Sequence, residues 1–325
     1  MELPPRLRIA IEELLHGVPL AELQGAAARL SQRYRAELRD GKLHLSDETA
    51  VKAYLAARMP ATFAAIRASF SMLEDTLAEF EPRTMLDVGS GPGTALWAAK
   101  QCWPTLSNAT MLEASPSAAR IGRALASQLV DIAPIWLEAD ASKALEAVAD
   151  SDLVTLCYVL DELPPQSSQP LVLQLWALTR SVLVIVEPGT PAGWRRILEA
   201  RAALVDAGAH IAAPCPHHAD CALMAPDWCH FSRRVARSRV HRMTKNAEVP
   251  WEDEKYIFIA ASRTAPNLPV SRVIAPPLQQ KGRLELKLCE PDGHFAFRTI
   301  SKKDGEAYRE ARRADWGDGL DITSQ

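Results

Sequence analysis

No apolar run in this 325-residue chain approaches the ~18 residues that a membrane-spanning helix needs; Val182-Leu183-Val184-Ile185-Val186 has only strand length. No membrane partner is expected. The opening Met1-Glu2-Leu3-Pro4-Pro5 lacks the long apolar core of a secretory signal, so a cytoplasmic or comparably reducing location is expected. Internal repeats and low-complexity tracts are missing as well. Neither sign of charge dominates: 37 basic against 40 acidic residues leave a net charge of −3, and the mean points to no class of partner. What is present, 48% hydrophobic and 24% charged residues, suits one large globular domain with appendages, or two domains.

Cysteine is scarce too, and its placement is informative. Three of the six fall between Cys215 and Cys229, in Pro214-Cys215-Pro216-His217-His218-Ala219-Asp220-Cys221 and Asp227-Trp228-Cys229-His230-Phe231. A free cysteine normally behaves as a small buried hydrophobe. Thiolates gathered in a polar, proline-broken loop repel one another unless a cation neutralises them, which points to a soft metal centre. A reducing compartment disfavours the disulfide alternative. The C-x5-C-x7-C spacing matches neither the paired knuckles of zinc ribbons nor bacterial ferredoxin runs. Zinc and iron–sulfur both stay open, and the fourth ligand is open among His217, His218, His230 and the distant Cys289.

Along the chain, residues 1–80 read as a helical region, with runs from Leu20 to Leu38, from Ser46-Asp47-Glu48, and from Ala61 to Phe80 after Pro60. From Thr84 short apolar runs alternate with helical ones, the pattern of a parallel α/β sheet covered on both faces. Strands are predicted at 84–88, 109–113, 134–138, 153–158 and 181–186, with a last one from Lys255 to Ser262. Residues 81–263 thus form one Rossmann-like domain, with a metal-binding and basic insertion at about 206–250. Residues 264–325 read as a small β-rich module. Arg283 to Cys289 alternates with period two, and Pro291-Asp292-Gly293 supplies the turn of a hairpin.

Met85-Leu86-Asp87-Val88-Gly89-Ser90-Gly91-Pro92-Gly93-Thr94 is a strand, an acid, then a glycine turn into a helix. Such glycines permit positive φ and close approach of a ligand to the backbone. A glycine turn alone is weak. The discriminating residues are Asp87 before it, Glu113 after the second strand, placed for ribose hydroxyls, and Asp140 after the third, placed for an adenine amino group. Asp87, Gly89, Gly91, Glu113 and Asp140 together resemble the pattern of class I S-adenosylmethionine-dependent methyltransferases. No catalytic residue stands out. Neither Leu160-Asp161-Glu162-Leu163-Pro164-Pro165 nor Glu187-Pro188-Gly189 matches an exocyclic-amine methyltransferase motif, and Cys157 sits inside an apolar strand. Asp161, Glu162 and Glu187 are candidates for shaping an acceptor pocket.

Phe231 to Lys245 carries Arg233, Arg234, Arg237, Arg239, Arg242 and Lys245 without an acid, and reads as a basic helix suited to RNA phosphates. Lys302, Lys303, Arg309, Arg312 and Arg313 form a weaker second patch.

Several uncommon strings in order carry a closer resemblance: Tyr54-Leu55-Ala56-Ala57-Arg58-Met59-Pro60-Ala61-Thr62, Pro188-Gly189-Thr190-Pro191, the two cysteine strings and Glu252-Asp253-Glu254-Lys255. From about residue 45 to Trp316 the chain resembles the methyltransferase-like small-ribosomal-subunit family, which includes mitochondrial small-subunit assembly proteins and bacterial relatives. The resemblance implies a class I methyltransferase core with a cysteine-bearing insertion. It also implies a 4Fe-4S cluster on Cys215, Cys221, Cys229 and Cys289, and association with the small ribosomal subunit and its rRNA. Expected, then, is an S-adenosylmethionine-binding, iron–sulfur protein of ribosome assembly, an rRNA methyltransferase in one version and a non-catalytic platform in another. A zinc-containing small-molecule methyltransferase is the third reading.

Overall fold

The computed structural model describes residues 2–36 and 43–321. Four helices come first: α1 (Pro5–Leu15), α2 (Leu20–Ala36), α3 (Glu48–Ala57) and α4 (Met59–Thr76). The last two residues of the helix expected to reach Leu38 lie outside the described residues. The Asp47 carboxylate caps α3 by accepting a hydrogen bond from Ala50 N at 2.9 Å. Arg58 separates α3 from α4, and Pro60 falls in the first turn of α4, where a missing N–H costs nothing. Nearly all of α4 is buried, which explains its alanine-rich, all-round apolar sequence.

The sheet that follows alternates with helices. Its elements are β1 (Thr84–Val88), α5 (Thr94–Cys102), β2 (Asn108–Glu113), α6 (Pro116–Ala126), β3 (Ile135–Glu138), α7 (Ala141–Ala144), β4 (Ser151–Cys157), α8 (Pro165–Ala177), β5 (Thr179–Pro188), α9 (Pro191–Asp206) and β6 (His210–Ala213). Then come β7 (Phe231–Ala236), α10 (Arg239–Lys245) and the long β8 (Trp251–Ser262). The strand order is β3-β2-β1-β4-β5-β8-β6, with β7 also on β8. Strands β1 to β5 are parallel, whereas β8 runs antiparallel to β5, β6 and β7. In the middle, Val184 lies between Thr155 and Ala260. Central strands covered on both faces need continuous apolar runs, and β5 is buried from Val182 to Glu187. A single antiparallel strand inserted next to the last of five parallel ones is the class I methyltransferase arrangement. The order reverses between β1 and β4, so a ligand crevice opens at the carboxyl ends of those strands.

Two expectations need correction. Phe231 to Lys245 is not one helix: its first part is β7, and only Arg239–Lys245 is helical. Phe231 and Val235 point inward at 1% exposure each, a period-two pattern hidden in sequence by the intervening arginines. The last sheet strand begins at Trp251 rather than Lys255, because its charged first half is the partner of β7. Strand β6 was not foreseen; four residues give too little periodicity to read.

The tail comprises β9 (Ser271–Val273), β10 (Leu278–Gln280), β11 (Arg283–Cys289), β12 (Phe295–Ser301), α11 (Gly305–Ala311) and β13 (Gly319–Leu320). The alternation in β11 does what period two dictates: Leu284, Leu286 and Leu288 enter a small core with Val273, Ile300, Ala311 and Leu320. Cys289 faces the other way, toward the main sheet's cysteine loop. At the hairpin tip Gly293 has φ 90°, and a Cβ there would stand 2.9 Å from Ala219 Cβ, so the tip rests on that loop.

Candidate functional site

The crevice at the β1/β4 switch point is a cavity of about 180 Å³. Asp87, Gly89, Gly91, Glu113 and Asp140 all line it. Gly89 has φ 65°, and a Cβ there would lie 2.5 Å from Val159 Cγ2, so only glycine closes this turn. Gly91 N donates to Glu113 Oε2 and Ser115 N to Glu113 Oε1, each at 2.7 Å, which fixes the carboxylate at the end of β2. Asp87 is buried at 1% exposure. Its Oδ1 accepts from Thr155 Oγ1 at 2.6 Å, while Oδ2 has no partner. Burial pushes the Asp87 carboxyl up to about 7, against the Thr155 hydrogen bond and reinforced by the charge of Glu113. Asp140 stands exposed at the rim.

Sequence reasoning missed the part of this wall that the N-terminal region supplies. Tyr34, His44 and Tyr54 arrive from the N-terminal helical region, and no local motif announces a contact made by tertiary packing. His44 Nδ1 lies 3.1 Å from Glu162 Oε1 without hydrogen-bond alignment, and its ring meets Tyr34 edge-on at 4.8 Å. Tyr54 Oη and Thr94 Oγ1 share a hydrogen bond of 2.9 Å. Behind them, Arg58 grips Glu254 at 3.0 and 3.3 Å, and Tyr158 Oη donates to the same carboxylate at 3.3 Å. Of the three acids considered for an acceptor pocket, only Glu162 lines the cavity. Asp161 and Glu187 are buried beyond it, at 2% and 0% exposure, with Arg196 Nε donating to Glu187 Oε2 at 2.7 Å.

A second, mostly apolar cavity lies between α9, the cysteine loop and the tail hairpin. Cys215, Cys221, Cys229 and Cys289 all line it, and all four are free thiols. Burial pushes the Cys229 thiol well above its usual range, and the sulfurs of Cys215, Cys221 and Cys289 add to the rise. Burial does the same to Cys221 and Cys289, again with Cys215 contributing. Two histidines line this cavity among the described residues, His217 and His294, and His217 Nε2 lies 3.3 Å from Cys289 Sγ. His218 Nε2 accepts from Ile211 N at 3.0 Å, and His230 stacks between Trp228 and Trp316. Among the described residues, no group of three or more His, Cys, Asp or Glu is arranged to hold a metal ion. Four sulfurs around an apolar cavity are, by donor chemistry, a soft polythiolate set.

The basic segment is less exposed as charge than its sequence suggests. Arg234 pairs with its cross-strand neighbour Asp253 at 2.8 and 2.9 Å. Arg237 and Lys245 both bind Glu252, and Arg233 lies against Tyr256. Arg239 and Arg242 are exposed on α10 and bridge to no carboxylate among the described residues. The acids came from β8, outside the window in which none was visible.

The strand order with a glycine turn at its switch point defines a class I methyltransferase-fold protein. A model of the mitochondrial small ribosomal subunit Rsm22 family matches residues 48–321, and the chain belongs to that family. It is 28% identical over 287 residues to the human mitochondrial ribosome assembly protein METTL17, covering 83% of this chain and 62% of that protein. It is 23% identical over 335 residues to the mitochondrial Rsm22-cox11 tandem protein 2 of Schizosaccharomyces pombe, covering 87% and 44%. The chain therefore spans less than two thirds of the length of these relatives. Among solved structures, an O-methyltransferase family protein of Burkholderia thailandensis matches with TM-score 0.44 at 16% identity, over 76% of this chain and 72% of that one. Magnesium protoporphyrin IX methyltransferase of Synechocystis, with bound S-adenosylmethionine, matches with TM-score 0.42 at 13% identity, over 80% and 98%. The relatives and the family are mitochondrial, which overturns the cytoplasmic expectation. A missing apolar core speaks only against a secretory signal, since mitochondrial presequences are amphipathic and rich in arginine.

Proposed function

We propose that this protein is an assembly factor of the small ribosomal subunit whose methyltransferase fold binds S-adenosylmethionine and presents an RNA-contacting surface. A 4Fe-4S cluster in the four-thiol cavity anchors that surface. The observation that carries the ribosomal reading is family membership over residues 48–321, a span containing the glycine turn and all four cysteines. For the cofactor, the support is Asp87 Oδ2, a buried carboxylate oxygen without a partner in the cavity wall, suited to the ammonium of a methionine moiety. Glu113 keeps lone pairs for ribose hydroxyls after its two backbone bonds, and Asp140, exposed on the cavity wall, is the candidate for an adenine amino group. Bound S-adenosylmethionine supplies an electrophilic methyl group. For the cluster, the support is four thiols from two distant segments around one apolar cavity. A bound cluster would tie the cysteine loop to the tail.

Between the catalytic and the platform readings we favour the platform: Glu162, the acid on the cavity wall, accepts from His44 N and faces the His44 ring, while Asp161 and Glu187 are buried outside the cavity. The test uses protein purified without oxygen. Binding of S-adenosylmethionine by calorimetry, co-sedimentation with immature small subunits and no transfer of labelled methyl to their rRNA are expected. Transfer would make it an rRNA methyltransferase. Failure of both bindings would refute the assignment, and stoichiometric zinc without iron would return the zinc-containing small-molecule enzyme.

A further inference from the structure

Three arginines among the described residues are more than nine-tenths buried: Arg196, Arg201 and Arg272, at 6%, 4% and 1% exposure. Burying a guanidinium costs several kcal/mol unless an anion compensates it, so such arginines are normally paired with carboxylates. Arg196 follows the rule through Glu187. The other two do not. Arg201 Nη2 donates to the carbonyls of His217 and Ala219, at 3.1 and 2.7 Å. Arg272 donates from Nε to Pro214 O at 2.8 Å and from Nη1 to Gly317 O at 3.0 Å. Three of these four carbonyls belong to the cysteine loop. Arg201 Nε and Arg272 Nη2 are buried with no hydrogen-bond partner. Asp75 and Asp318 lie within electrostatic reach of Arg272, but neither bonds it. Arg201 lines the four-thiol cavity, and Arg272 holds the carbonyl that precedes Cys215 and stands opposite Cys289 in the β9–β11 register.

We propose that Arg201 and Arg272 are built-in counter-charges of the thiol centre, matched to a group that is doubly negative when four cysteines bind it. This rests on the cluster reading above. Four thiolates on a cluster core of charge 2+ leave a net charge of −2, and two guanidiniums balance it. A set of three cysteines and His217 would leave −1 and one arginine uncompensated. Both arginines also shape the loop through its carbonyls, so they act as positioning residues as well as charges. Lys287, the other nearby cation, is already bonded to Asp227 and is not part of the balance.

The two functions separate experimentally. Reduction adds an electron to an already negative centre, so a nearby positive charge favours the reduced form. The full chain, purified without oxygen, would be compared with Arg201→Met, Arg272→Met, Arg201→Lys and Arg272→Lys by iron content and by redox titration followed by absorbance and electron paramagnetic resonance. Each methionine variant is expected to lower the reduced-to-oxidised ratio at fixed potential about tenfold, equal to about 59 mV for one electron. The lysine variants should stay near wild type. Loss of iron in the methionine variants with retention in the lysine variants would also support the counter-charge. Iron-loaded methionine variants with an unchanged ratio, or equal loss of iron in lysine and methionine variants, would overturn it. Wild-type protein without iron removes the cluster reading itself, a separate result read before any variant.

Discussion

His217 Nε2 lies 3.3 Å from the Cys289 sulfur, although 72 residues separate the two. The contact exists because the β11–β12 hairpin brings Cys289 onto the cysteine loop, with Gly293 seated against Ala219. If Cys289 is a ligand and His217 only its neighbour, the two substitutions differ in kind. Cys289→Ser is expected to lower anaerobic iron content and to weaken cluster retention by more than about tenfold, beyond what loss of a supporting group does. It should also speed proteolysis at the linker near Pro266 and Pro269. His217→Ala should keep near wild-type iron. Equal iron in wild type and Cys289→Ser would remove Cys289 from the ligand set.

Asp87 gives a pH dependence with a definite sign. Its folded carboxyl is raised from 3.8 to about 7, chiefly by burial. A raised acid contributes stability that is fully present below its unfolded value and is lost as pH rises through the folded one. The cofactor-free protein should therefore lose stability between about pH 4 and pH 7 on account of this group. S-adenosylmethionine would meet the carboxylate with its ammonium, so its affinity should rise over the upper part of that window. Asp87→Asn should flatten the rise and weaken binding about tenfold or more at pH 8, since a charged hydrogen bond is worth about 1.5–3 kcal/mol. Calorimetric titrations at pH 6 and pH 8 check both statements.

The glycine turn, Asp87, Glu113 and Asp140 were legible because strand, turn and helix are contiguous and the chemistry sits at strand ends. The cysteine string was legible for a different reason: its residues are uncommon in loops. Cys289 was one of four open candidates for the fourth ligand and was singled out only through resemblance, since nothing local distinguishes a strand-end cysteine from a packed one. The arginine segment misled for a physical reason. A strand of alternating Phe231, Arg233 and Val235 shows few apolar residues, and the acids that neutralise it lie on β8. The wall formed by Tyr34 and His44 was not readable, because it depends on where a helical region docks rather than on what it contains.

Glu187 and Asp161 are both sealed from solvent; Arg196 bonds Glu187 and lies within electrostatic reach of Asp161. Burial raises the Glu187 carboxyl despite Arg196, with Asp161 reinforcing the rise; burial and Glu162 raise Asp161. Two carboxyls beside one guanidinium cannot both ionise cheaply, so the pair keeps a proton above the usual carboxylate range. Both folded values lie above the unfolded ones, so this site favours folding in acid and opposes it as pH rises toward 8. Glu187→Gln keeps the acceptor for Leu160 N and removes the second acid. It also removes the carboxylate that Arg196 bonds, so it should lower stability at pH 6 while making the decline from pH 6 to pH 8.5 shallower. Denaturant melts at the two pH values test this; a parallel decline in wild type and variant would refute the retained proton.

The paired and unpaired halves of the basic segment should behave differently toward RNA. Arg239 and Arg242 project from α10, whose start is capped by Ser238 and whose base is tied down by Lys245 and Arg237 on Glu252. They can release counterions from phosphate without first giving up a protein carboxylate. Each of Arg239→Ala and Arg242→Ala is expected to weaken binding to immature small subunits, with the log-affinity against log-salt slope falling by about 0.7–0.9 per lost contact. Arg234→Ala should change the slope less, because freeing Arg234 exposes Asp253 to the same phosphate. Arg237→Ala should act mainly on stability, by leaving a half-satisfied Glu252 beside Lys245 and His241. Salt titrations of binding, paired with melting curves for each variant, distinguish the two effects. A larger slope change for Arg234 than for Arg239 or Arg242 would move the RNA surface from the helix to the strand edge.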